Sequence, residues 1–68
     1  MSFSMRYPEV SVQLVGQDGN AFSILGRCKR AAQRGNVPPK EVDSFMKEAT
    51  SGNYDHLLAT CMAWFDCH

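Results

Sequence analysis

The side chains able to do chemistry crowd the C-terminal third of this 68-residue chain: Asp55, His56, Thr60, Cys61, Cys67 and His68. Histidine and cysteine together are the common ligands of structural zinc, which needs four of them around one point. His56, Cys61, Cys67 and His68 would supply that number, but no Cys-x2-Cys or His-x3-His spacing sets two of them on one turn. His56 and Cys61 are five positions apart, about 140° around a helix, so their side chains diverge. No metal and no other cofactor is expected.

The same divergence separates Cys61 as a nucleophile from His56 as its base. Thr60 follows His56 by one turn and can reach it, but no orienting acid or oxyanion donor accompanies the pair. Asp55 better suits the positive end of a helix. A chain this short also has little room for a substrate pocket. It is expected not to be an enzyme.

A second chemistry is electrostatic. Arg27, Arg30 and Arg34, with Lys29 beside them, form a basic stripe able to contact a polyanion. Residues 1–35 carry five basic side chains (Arg6, Arg27, Lys29, Arg30, Arg34) against Glu9 and Asp18. Residues 36–68 carry five acidic ones (Glu41, Asp43, Glu48, Asp55, Asp66) against Lys40 and Lys47. The net charge is zero, so no broad positive field exists to gather nucleic acid.

These groups need elements to position them. In Glu9–Gly16, Val10, Val12 and Leu14 alternate with Glu9, Ser11 and Gln13, the period of a half-buried strand, and Pro8 marks its start. Gly16-Gln17-Asp18-Gly19-Asn20 reads as a turn. The following Ala-Phe-Ser-Ile-Leu-Gly could return as a hairpin strand. A helix over Ala21–Arg34 sorts the residues better: Ala21, Ile24, Leu25, Cys28, Ala31 and Ala32 share one face, and the arginines take the other. Asn20 suits its N-cap and Gly35 its C′ position. Val42, Phe45, Met46 and Ala49 mark a second helix after Pro39. A third, capped by Ser51 or Asn53, carries Leu57, Leu58, Cys61, Trp64 and Phe65 as its apolar stripe.

The expected fold class is α+β: one N-terminal strand followed by three α-helices around one small core, a single domain over residues 1–68. Residues 1–8 and 66–68 are expected to be flexible ends. No run of about eighteen apolar residues is present, so no membrane contact is expected. The first ten residues hold no apolar signal-peptide core, and three cysteines cannot close a disulfide framework. Both point to the cytoplasm, with Cys28 and Cys61 as buried free thiols.

The motifs Gly16-Gln17-Asp18-Gly19-Asn20-Ala21-Phe22 and Glu48-Ala49-Thr50-Ser51-Gly52-Asn53-Tyr54-Asp55-His56 are distinctive. From Val10 to Trp64 the chain resembles a family of small uncharacterised proteins of bacteria and their phages or prophages. The resemblance implies a context rather than an activity, and favours a helix after Asn20. The chain departs from that pattern at Pro38 and in the tail Asp66-Cys67-His68.

A lone strand leaves N–H and C=O groups unpaired on its edges. The tail Trp64–His68, the N-terminal residues, a second copy or an unidentified protein could each pair with it. A non-enzymatic interaction module is therefore expected, self-associating through Val10, Val12, Gln13 and Val15. The alternative is a nucleic-acid-binding accessory protein using Arg27, Lys29, Arg30 and Arg34.

Overall fold

The computed structural model describes residues 5–68 as a small α+β fold, with element order β1 (Tyr7–Val12), α1 (Ala21–Arg34), α2 (Pro39–Ala49), α3 (Tyr54–Trp64) and β2 (Phe65–Cys67). The three helices stand where the sequence pattern sets them, and β1 overlaps the expected strand over residues 9–12. The addition is β2, which follows α3 without a loop and pairs parallel with β1.

The ends were expected to be loose. Instead, Tyr7 and Pro8 open β1, and residues 66–68 are held by backbone pairing, His68 N–H donating to the Val12 carbonyl at 2.9 Å. The expected strand at 9–16 begins earlier, and pairing outlasts the strand itself: Leu14 and Val15 N–H both donate to the His68 carbonyl. Residues 1–4 lie outside the described part. The register runs Tyr7 to Phe65 but Ser11 to Asp66, so β1 bulges between them. Pro8 sits in that bulge and has no N–H to give the ladder.

Local chemistry sets the helix ends. The Asn20 side chain accepts from Phe22 N–H at 2.8 Å, and Asp18 accepts from Asn20 N–H and from the Ser23 hydroxyl. The whole turn is thereby fastened to the first turn of α1. Asn53, rather than Ser51, caps α3 by accepting from His56 N–H at 2.9 Å. Pro38 and Pro39 start α2 without a side-chain cap. At the end of α1 the left-handed residue is Asn36, with φ 63°, while Gly35 lies at φ −84°. Gly35 serves packing instead: a Cβ there would stand 2.9 Å from Val10 Cγ2.

The core joins Val10 and Val12 of β1 to Ile24, Leu25 and Cys28 of α1, Phe45 of α2, and Leu57, Cys61 and Trp64 of α3. Phe65, placed by periodicity on the α3 stripe, is fully buried but belongs to β2. Trp64, Phe65, Phe45 and Tyr7 pack ring against ring at centroid separations of 5.0–6.3 Å. Arg6 lies over Trp64, 4.5 Å from the ring centroid, and reaches Glu41 at 2.9 Å, tying the start of β1 to α2.

Candidate interaction groove

Among the described residues, β1 pairs on one edge only. The Val12 carbonyl and the Leu14 N–H point at β2. Strand backbone alternates direction at each residue, so the N–H and C=O of Ser11 and Gln13 point the other way. The sheet has two strands, so no strand covers that outer edge among the described residues.

α1 flanks this edge and runs against the direction of β1. Its C-terminal end meets the strand where Gly35 touches Val10. Its middle lies near the end of the following loop, where Arg27 Nη1 donates to the Asp18 carbonyl at 3.0 Å. Between β1 and α1 lies an open groove of about 280 Å³. Ser11, Val12, Gln13 and Gln17 line one side of it, and Arg27, Arg30, Ala31 and Arg34 the other. No carboxylate lines it. The Asp18 carboxylate is engaged with its own turn, and the salt bridge found among the described residues is Arg6–Glu41.

The two candidate sets thus meet in part. Arg27, Arg30 and Arg34 share the groove with Val12 and Gln13, while Lys29 is exposed outside it. Val10 and Val12 turn their side chains into the core, at 3% and 2% exposure. Val15, 75% exposed, lies elsewhere, beside a shallow apolar hollow with Leu14, Leu58 and Met62. Sequence periodicity grouped the arginines correctly. What it lacked was the direction of α1, which alone determines that their face borders the strand edge.

The reactive side chains of α3 serve structure. His56 Nε2 lies 2.8 Å from the Glu48 carbonyl, which only accepts, so this nitrogen carries a proton. It is therefore no base toward Thr60, whose hydroxyl donates to the His56 carbonyl at 2.8 Å. The imidazole closes the turn between α2 and α3, with Gly52 leaving room for the ring. Cys28 and Cys61 are fully buried, with Sγ atoms 3.5 Å apart. The hydrogen bond to Cys61, together with burial, pushes the Cys28 thiol well above the ordinary thiol range. Burial pushes Cys67 up to about 11. Among the described residues, no three His, Cys, Asp or Glu side chains gather into a metal-holding group. No described helix is long and apolar enough to cross a membrane.

No family model matches the sequence, and no curated protein or solved structure matches it.

Proposed function

We propose that the chain is a cytoplasmic, non-enzymatic protein-interaction module that takes an extended segment of another protein along the outer edge of β1. The observation that carries this is the strand edge at Ser11 and Gln13, which no strand covers among the described residues and which borders a groove walled by α1. Strand addition is a common mode of peptide capture, in which backbone bonds supply affinity and flanking side chains supply selectivity. The resemblance to small phage and prophage proteins sets the context we propose for the partner, a phage or host protein.

Self-association through the same edge is the weaker version of this reading. Antiparallel pairing of two copies would bring both arginine rows to one seam, where like charges repel. The alternative of nucleic-acid binding draws on exposed Lys29, Arg30 and Arg34. It leaves the outward carbonyls of Ser11 and Gln13 facing phosphates that cannot donate to them.

The test is a titration of the ¹⁵N-labelled chain with three capped heptapeptides. Each alternates threonine with one other residue: glutamate, glutamine or lysine. Perturbation of the Ser11 and Gln13 amides by at least one peptide is the expected result. If none of the three moves those amides at millimolar concentration, the strand-edge reading is wrong.

A further inference from the structure

Resting on that reading, we infer that the segment taken up by the groove is acidic, with carboxylates at alternating positions of the added strand.

The groove offers Arg27, Arg30 and Arg34 with no carboxylate among its lining residues. None of the three forms a salt bridge among the described residues, where the pair found is Arg6–Glu41. Arg27 is already oriented by the Asp18 carbonyl, which lowers the entropy lost when it binds. The groove lining is therefore positive, with the Asp18 carboxylate beyond it and held by the turn, although the chain as a whole is neutral.

Spacing narrows the partner further. From Arg27 to Arg34 the row spans roughly 10 Å along α1, at about 1.5 Å per residue. Same-face side chains on a strand repeat every ~6.8 Å. Two carboxylates at i and i+2 therefore match Arg30 and Arg34, roughly 6 Å apart along α1, when α1 and the added strand run side by side. That alignment follows from the two anchor points already described, Gly35 on Val10 and Arg27 on Asp18. Guanidinium groups also match carboxylates with paired, directional hydrogen bonds.

A second copy fits less well, because β1 brings one acid, Glu9, along with its own arginine row. A nucleic acid meets the arginines but not the outward backbone carbonyls. An acidic strand answers both walls of the groove.

The same three heptapeptides test this inference separately from the reading beneath it. The glutamate peptide is expected to bind about tenfold tighter than the glutamine peptide at low salt, the effect of two exposed charge pairs together. That advantage should shrink as salt rises. Arg30 and Arg34 are exposed, so R30Q/R34Q should fold normally and reduce glutamate-peptide affinity to the glutamine level, without weakening the glutamine peptide. If the glutamine or lysine peptide binds as tightly as the glutamate one, the groove takes a strand but not an acidic one, and this inference falls while the interaction reading stands. A twelve-nucleotide oligothymidylate is the control. Competition by it for the arginine Nε signals, with no glutamate-peptide effect on Ser11 or Gln13, would overturn the acidic-strand assignment in favour of nucleic acid.

Discussion

Replacing Gly35 by alanine sets two effects against each other. The backbone at Gly35 is allowed to any residue, φ being −84°. Alanine also restricts the unfolded chain, which by itself would stabilise by about 0.4–1 kcal/mol. Against this, the new Cβ would stand 2.9 Å from Val10 Cγ2 and 3.4 Å from the Ala31 carbonyl oxygen. Val10 is 3% exposed and β-branched, so it has little freedom to move aside. Overpacking of this kind costs about 1–3 kcal/mol. The net expectation is a loss of about 1–2 kcal/mol, or a melting temperature lower by roughly 5–15 °C in a domain of this size. Urea unfolding followed by Trp64 fluorescence measures it. In the V10A background, where the obstructing Cγ2 is gone, Gly35→Ala should become neutral or stabilising, a coupling of about 1 kcal/mol or more. A Gly35→Ala variant more stable than the parent, with no coupling to Val10, would mean that the end of α1 does not press on β1. The alignment of the arginine row beside the strand edge would then lose its support.

Other expectations follow from packing and protonation. Trp64, 4% exposed among the rings of Tyr7, Phe45 and Phe65, should cost about 3–5 kcal/mol as alanine, enough to unfold a small domain; a cooperative native-like melt of that variant would refute its placement. His56→Ala should cost about 0.5–1.5 kcal/mol through the lost bond to the Glu48 carbonyl, and a loss above about 3 kcal/mol would assign His56 a larger role. In the folded chain Cys67 should react with a thiol reagent well before Cys28 and Cys61, and equal rates for all three would contradict the burial of the pair. Burial raises the Cys67 thiol to about 11 when folded, against 9.0 for a solvent-exposed thiol. The unfolded state therefore releases it first, so this contribution to stability is full below about pH 9 and is lost as pH rises toward 11. The urea midpoint of the parent should fall more steeply than that of C67S over this interval, and identical slopes would show that Cys67 is not shielded.

The parts of the fold written in local chemistry were readable. Asn20 and its turn set the start of α1, and the apolar face through Cys28 and Ala32 decided for a helix over a hairpin. The alternation of Val10 and Val12 identified the buried face of β1. The tail Trp64–His68 was one of several partners open to β1 and is the one that pairs, but it was not singled out as a strand, because three residues hold no period of two and Phe65 continues the helical stripe that Trp64 ends. Its identity comes from a tertiary partner, β1, at the far end of the chain. The candidate groove was half readable for the same reason. The arginines share a face by helical spacing, but the Gly35–Val10 contact that turns this face toward the strand edge is a contact between distant parts of the sequence.

Native-state amide exchange tests the central claim most directly, because it asks whether the outer edge of β1 is open. The amides of Leu14 and His68, bonded across the β1–β2 ladder, should exchange slowly in the free chain. Those of Ser11 and Gln13 should exchange orders of magnitude faster, and should slow when the glutamate heptapeptide is added. Ser11 and Gln13 amides as protected as Leu14 in the dilute free chain would show that the edge is already covered, and would contradict the account.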